Sequence, residues 1–256
     1  MAALATLARH PFGVRTLDRS PAPLSGGAAS GSPWSPAHIG HGVAVFDLDR
    51  TLIRGSSLSR YGRELVRRGL VPRSTVARHA LLELAFQRRG VGAARIDHLV
   101  GTLLDAARGR PAEPLLEAAR GMGAALAAEV SPAAEFLLRH HLAAGDFCVI
   151  LSASPHELVE AVAVALGAHR AVGTRVDVAD GVLTGRLDGP FCYGSGKLEA
   201  LEREVGHIDL AAATAYADSG SDLPLLERCG TPVAVNPDGE LRRWAARAGW
   251  PIVRFH

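Results

Sequence analysis

The chain has 256 residues, enough for one substantial domain or for a core carrying a smaller insertion. Apolar residues make up 48 % of it, which supports a sizeable core and excludes global disorder. A formal net charge of +2 gives no strong field for nucleic acid or an anionic membrane, and no apolar run approaches the ~20 residues of a membrane span.

Residues 1–41 are rich in Ala, Pro, Gly and Ser and show no sustained period, so they read as a disordered leader or as the product of an over-long start assignment. Their arginines also suit an organelle-targeting peptide, but the composition favours the first reading. The opening MAALATLA is too short an apolar stretch for a secretory signal and lacks a leading charge. Cys148, Cys192 and Cys229 form no CxxC pair and are expected to be reduced thiols of a cytoplasmic protein. Arginine dominates the basic residues so completely that Lys197 is the only lysine.

Ordered structure is expected from Gly42. The runs 43-VAVFDLD-49, 147-FCVILSAS-154, 213-ATAYADS-219, 232-PVAVNP-237 and 251-PIVRF-255 read as strands. The first three are continuously apolar and then meet Asp or Ser, as strands buried on both faces do. Helical stretches such as 133-AAEFLLRHHLAAG-145 and 197-KLEALEREVG-206 lie between the strands. This alternation predicts a doubly wound α/β sheet, mostly parallel, with its ligand site beyond the carboxyl ends of the strands. Residues 57–130 differ: they lack a convincing strand and carry helical spacing, as at Val76, Ala80 and Leu84 and again at Leu99, Leu103 and Leu104. They are too long for a simple crossover and read as a small helical domain inserted into a core of residues 42–56 and 131–256. The alternating segment 172–189, with Asp180-Gly181, reads as a hairpin or strand pair with a tight turn.

Four sites carry polar groups where packing does not call for them. Asp47, Asp49 and Thr51 follow the first strand at alternating positions, which on an extended segment turns them to one face. In 152-SASPHE-157, Ser154, Pro155 and Glu157 fit a helix start with Ser154 as the cap. That leaves Ser152 at the strand end as a donor to an anion held by the helix N-terminus. Lys197 follows Gly-Ser-Gly at the head of a helix, where it opposes the dipole and calls for an anionic partner. A P-loop is excluded, because Phe191 stands where the glycine is needed and Leu198 where Ser or Thr is needed. Asp218 ends a short strand and Asp222 starts the next helix, where dipole compensation is the simpler explanation for Asp222 taken alone. Like charges about 4 Å apart at an effective dielectric of ~20 repel by roughly 4 kcal/mol per pair. One lysine cannot offset four such carboxylates; a divalent cation can, and an all-oxygen donor set favours Mg²⁺.

The order Asp47-x-Asp49-x-Thr51, Ser152, Lys197, Asp218-Ser219-x-x-Asp222 resembles the haloacid dehalogenase superfamily over residues 42–256. The helical insert resembles the cap domain of its phosphoserine-phosphatase-like branch, and 231-TPVAVNPDGELRRWAARAGWPIV-253 resembles that branch as well. The resemblance implies Asp47 as nucleophile and Asp49 as acid–base residue. It also implies Mg²⁺ held by Asp47, Asp218 and the backbone carbonyl of Asp49, and phosphate binding by Thr51, Ser152, Ala153 and Lys197. Asp222 is then expected to anchor Lys197 or a metal-bound water. The implied reaction is hydrolysis of a small-metabolite phosphomonoester, because an acid at Asp49 suits an alkoxide leaving group and a halide needs none. A phosphotransferase and a catalytically silent binding protein are the alternatives, and the complete motif set speaks against silence. Ser56 stands where phosphoserine phosphatases carry a glutamate for the substrate ammonium, so phosphoserine is not the expected substrate. Arg54, Arg60 and Arg63 either bind an additional anionic group or form a solvated helix face.

Overall fold

The computed structural model describes residues 42–73 and 93–255, and of residues 93–99 the backbone only. The expected leader (residues 1–41) and the positions Val76, Ala80 and Leu84 lie outside the described residues.

Six strands, β1 (Val43–Asp47), β2 (Phe147–Pro155), β3 (Arg170–Thr174), β6 (Thr214–Ala217), β7 (Thr231–Val235) and β8 (Ile252–Val253), form one sheet in the order β3-β2-β1-β6-β7-β8. Every pairing in it is parallel. β1 is buried at every residue. Ala44 and Phe46 enter one apolar layer with Ile150 and Tyr216, while Val43 and Val45 enter a second with Val149, Leu151 and Ala215. A strand covered on both faces has no solvent side, and so the run V-A-V-F shows no polar alternation. The chain builds from β1 outward to β3, then returns to β1's other edge with β6. That reversal opens a crevice at the carboxyl ends of β1 and β6.

Helices α1 (Ser57–Arg67), α2 (Ala93–Ala107), α3 (Glu113–Arg120) and α4 (Gly123–Ala127) lie between β1 and β2 in the chain. They are followed by α5 (Pro132–Ala144), α6 (His156–Leu166), α7 (Gly196–Val205), the short α8 (Leu223–Leu226) and α9 (Gly239–Ala248). The bounds of α5 follow from its sequence: the Ser131 side chain accepts from Ala134 N–H, Pro132 opens the first turn, and Gly145 ends the helix at φ 82°. A β-carbon on Gly123 would lie 2.6 Å from the Ala161 backbone, so α4 packs on α6 only because that residue is glycine. Among the described residues no helix is long and apolar enough to cross a membrane.

The segment 172–189 divides. Its first residues complete β3 in the main sheet, and only β4 (Val176–Ala179) and β5 (Val182–Leu187) form the antiparallel hairpin, which turns at Asp180-Gly181. The hairpin bonds to the residues before α3: Gly109 N–H to the Leu183 carbonyl at 2.8 Å, Leu183 N–H to Arg110 at 2.9 Å and Ala112 N–H to Gly181 at 2.9 Å. The segments that enter and leave the α1–α4 stretch lie side by side, with Ile53 bridged to Val130 and Arg60 paired with Glu129.

Candidate active site

β1 delivers Asp47 at its last residue, 7 % exposed, and the chain then leaves strand geometry in a turn whose Arg50 is left-handed at φ 59°. Asn236, itself left-handed at the end of β7, holds that turn by donating from its side-chain amide to the Arg50 carbonyl at 2.9 Å. Thr51 is fully buried, and its hydroxyl meets no partner among the described residues.

Lys197 comes from the first turn of α7. Gly196 before it cannot carry a side chain, since a β-carbon would stand 2.1 Å from the Phe191 carbonyl oxygen, and Gly194 sits at φ 57°. The Gly-Ser-Gly run therefore serves to bring the loop close under the helix. Lys197 is 3 % exposed, with Nζ 2.7 Å from Asp47 Oδ1 and paired as well with Asp222 Oδ1. Burial disfavours its ammonium, but Asp222 and Asp47 more than offset this and hold its pKa well above the ordinary lysine value.

Asp218 follows β6 directly, and Asp222 ends a 3-10 turn over Gly220–Asp222. Asp238 fixes this loop: its N–H donates to the Asp218 carbonyl at 2.8 Å, and its carboxylate accepts from Gly220 N–H at 3.0 Å. Asp47, Asp218 and Asp222 each bring a carboxylate oxygen within 4.8 Å of the other two. Burial first, and then the repulsion of Asp47, raise the Asp218 pKa well above the carboxylate range despite Arg50. Asp222 is pushed up to about 6 by burial, with Lys197 pulling the other way. Three buried carboxylates with hard oxygen donors, two of them held at unfavourable ionisation, fit a divalent cation such as Mg²⁺.

Arg50 carries no signal of its own in the sequence pattern. Its Nε lies 2.8 Å from Asp218 Oδ2, so Lys197 has a second cation beside it against the cluster. Alternation along a strand would send Arg50 away from Asp47 and Asp49; the turn brings it back.

Ser152, Ala153 and Ser154 lie in an irregularity of β2, where the pairing with β3 shifts between Leu151 and Pro155. Ser152 is 2 % exposed, and its Oγ accepts from Ser154 N–H at 3.2 Å. The Ala153 carbonyl accepts from Thr174 Oγ1 at 2.8 Å. Ser154 does not cap a helix, contrary to the expectation. β2 continues through Pro155, α6 opens at His156 without a side-chain cap, and the Ser154 hydroxyl shares a 2.6 Å hydrogen bond with Ser57 at the head of α1. A partner 97 residues away outcompetes the local cap.

Asp49 stands apart from the three clustered carboxylates. Its Oδ1 accepts from Ser57 N–H at 2.8 Å, so the N-terminus of α1 holds it. Ser56 caps that helix by accepting from Ser59 N–H at 3.1 Å. Arg60 is committed to Glu129 and the Arg54 carbonyl, whereas Arg54 and Arg63 are exposed.

The structure thus gathers Asp47, Lys197, Asp218 and Asp222 in direct or near contact, with Asp49 and Thr51 on the same turn and Ser152 and Ala153 on the neighbouring strand end. Residues 44–227 match the haloacid dehalogenase-like hydrolase family. The chain is 36 % identical over 218 residues to the "Inhibition of morphological differentiation protein" of Streptomyces azureus, covering 84 % of this chain and 78 % of that one. It is 34 % identical over 246 residues to "Phosphoserine phosphatase SerB1" of Mycobacterium tuberculosis, covering 92 % and 77 %. A solved structure of a protein of unknown function from Bordetella pertussis superposes with a TM-score of 0.70 at 27 % identity, covering 84 % of this chain and 98 % of that one. With the motif residues of four separate segments assembled at one end of a parallel sheet, the chain belongs to the haloacid dehalogenase-like hydrolase family, in its phosphoserine-phosphatase-like branch.

Proposed function

We propose that this hydrolase is a Mg²⁺-dependent phosphatase that cleaves a small-metabolite phosphomonoester through an aspartyl-phosphate on Asp47. The observation that carries the reading is the contact of Lys197 Nζ with Asp47 Oδ1, at 2.7 Å, inside a cluster completed by Asp218 and Asp222. Lysine beside the attacking carboxylate places a positive charge where phosphoryl oxygens arrive, and its buried pairing with Asp222 keeps it from swinging away. Asp47, Asp218 and the backbone carbonyl of Asp49 would hold Mg²⁺, which supplies charge neutralisation for the phosphoryl group when bound. Asp47 attacks phosphorus and the ester P–O bond breaks as Asp49 gives its proton to the leaving alkoxide. Asp49, now a carboxylate, takes a proton from the water that attacks the phosphorus of phospho-Asp47, which releases phosphate, frees the Asp47 carboxylate and returns Asp49 to its protonated form. The Thr51 hydroxyl, without a partner among the described residues, and Ser152 and Ala153 at the end of β2 would bind the phosphoryl oxygens.

Phosphoserine is disfavoured as the substrate in this proposal. Ser56 is neutral and its hydroxyl is engaged in capping α1, so that position offers nothing to an ammonium group. The test is phosphate release from p-nitrophenyl phosphate and a panel of metabolite phosphates, with Mg²⁺ and with EDTA. Mg²⁺-dependent turnover abolished by EDTA is the expected result. A folded protein inert across the whole panel rejects the reading in favour of a binding role, and phosphoserine turned over far better than every other ester rejects the substrate argument.

A further inference from the structure

We infer that Ser57 and Ser154 are positioning residues for the acid–base carboxylate of Asp49, an inference that rests on the function proposed above. The two hydroxyls share a 2.6 Å hydrogen bond although they belong to different segments, α1 and the end of β2. Both are buried, at 0 % and 1 % exposure, where a hydroxyl without a partner is costly. Alanines at both positions would meet the packing requirement about equally well, because a matched pair of buried hydroxyls adds little over a matched apolar pair. What the pair does is fix where α1 begins relative to β2. That placement brings Ser57 N–H to 2.8 Å from Asp49 Oδ1. The same Ser154 donates its own N–H to Ser152 Oγ at 3.2 Å. A single run of hydrogen bonds therefore links the acid–base carboxylate, the head of the inserted helices and the phosphate-side hydroxyl: Asp49, Ser57, Ser154, Ser152.

Asp49 lies two residues past the end of β1, in a turn where its backbone bridges to Ile53 rather than to a neighbouring strand of the sheet. The rotation of its side chain is set by what the carboxylate contacts, and the N–H at the head of α1 is one such donor. Proton transfer to the leaving oxygen demands hydrogen-bond reach at the moment the P–O bond breaks, and a displacement of about 1 Å costs on the order of 10²-fold. Loosening the Ser57–Ser154 contact lets the head of α1 shift and moves the Ser57 N–H that contacts Asp49, without touching Asp47, Lys197 or the carboxylate cluster.

The experiment compares leaving groups. p-Nitrophenolate departs without a proton, whereas a simple alkoxide needs one, and kcat/KM reports only steps up to the first cleavage. Ser57→Ala, Ser154→Ala, the double variant and Asp49→Asn are assayed with p-nitrophenyl phosphate and with an alkyl phosphate, and their folds are checked by circular dichroism. The expected result for the serine variants is a kcat/KM loss of about 10- to 100-fold on the alkyl ester against less than about threefold on the aryl ester, together with a displaced pH–rate profile on the alkyl ester. Equal losses on both esters assign the pair a merely structural role and overturn the inference, as does full retention on both. Asp49→Asn separates the two levels: if it too shows no preference for the aryl ester, the acid–base reading of Asp49 falls, and if it does while the serine variants do not, only the positioning inference falls.

Discussion

Replacing Lys197 by Met removes the ammonium and keeps most of the side-chain length, which isolates the charge. With Nζ 2.7 Å from Asp47 Oδ1 and an effective dielectric of about 20, the attraction being deleted is about 6 kcal/mol before the cost of burying the lysine is subtracted. Breaking a buried pair from one side typically costs about 3–5 kcal/mol, because the remaining charge is stranded. For a domain of this size that corresponds to a fall in Tm of about 6–20 °C, measured in EDTA. Part of the loss is relieved by protonation. Asp222, already held at a pKa of about 6 with Lys197 beside it, rises further without the lysine and takes up a proton at neutral pH. Adding Asp222→Asn to Lys197→Met should therefore cost little more, and the double-mutant cycle should show coupling of at least about 1 kcal/mol. In the Mg²⁺-dependent assay, loss of one electrostatic stabiliser of this kind lowers kcat by about 10²–10³-fold. A variant that keeps kcat within about threefold of the parent, or a cycle with additive losses, refutes the placement of Lys197 at the centre of the site.

Mg²⁺ affinity, measured by calorimetry, should weaken as pH falls from about 7.5 to about 5.5, because the proposed ligand Asp218 and its neighbour Asp222 have raised pKa values and their protonation opposes the cation; pH-independent affinity would remove Asp218 from the metal site. His156 is buried beside Arg175, whose Nη2 donates to its Nε2 at 2.7 Å, and burial followed by the arginine lowers its pKa. The folded state thus keeps this imidazole neutral while the unfolded chain protonates below about 6.5, so His156 favours the native state above that pH and disfavours it below. Thermal melts should accordingly show the stability gap between the parent and His156→Gln shrinking as pH falls through about 6.5, and a gap that widens contradicts the sign. Burial pushes the thiol of Cys148 up to about 12, of Cys192 to about 12 and of Cys229 to about 11. A thiol reagent at mildly alkaline pH should label none of them in the native protein and all of them after denaturation; rapid native labelling would mean these side chains are not in the core.

Much of the site could be read from the sequence because its chemistry is tied to strand ends. β1 is apolar at every position until Asp47, and a carboxylate there has no packing explanation. Lys197 stood out because its glycines and its helix-start position both required a reason, and the loop beneath Gly196 with the Asp47 and Asp222 contacts supplies them. Arg50 was hidden because alternation predicts that it points away from its neighbours, whereas the strand ends at Asp47 and a left-handed residue turns it onto Asp218. Ser154 misled for a different reason. Ser-Pro-x-Glu is a genuine cap pattern, but capping is a local preference worth about 1 kcal/mol, and a buried hydroxyl partner from α1 competes with it. In the sequence the end of β3 merges with the hairpin because R-A-V-G-T is short and mixed; only its neighbour β2 shows that Ala171 and Val172 are core. The Asp49 contact with Ser57 lies at the same level, since no pattern in either segment points to the other.

The central claim is that Asp47 carries the phosphoryl group. Rapid mixing of Asp49→Asn with p-nitrophenyl phosphate and Mg²⁺ tests it most directly, since that leaving group needs no acid while hydrolysis of the intermediate lacks its base. The account predicts a burst of one equivalent of p-nitrophenolate per active site, followed by slow turnover, with the phosphoryl group recovered on the peptide containing Asp47. Steady release without a burst, or phosphate recovered on any other residue, contradicts it.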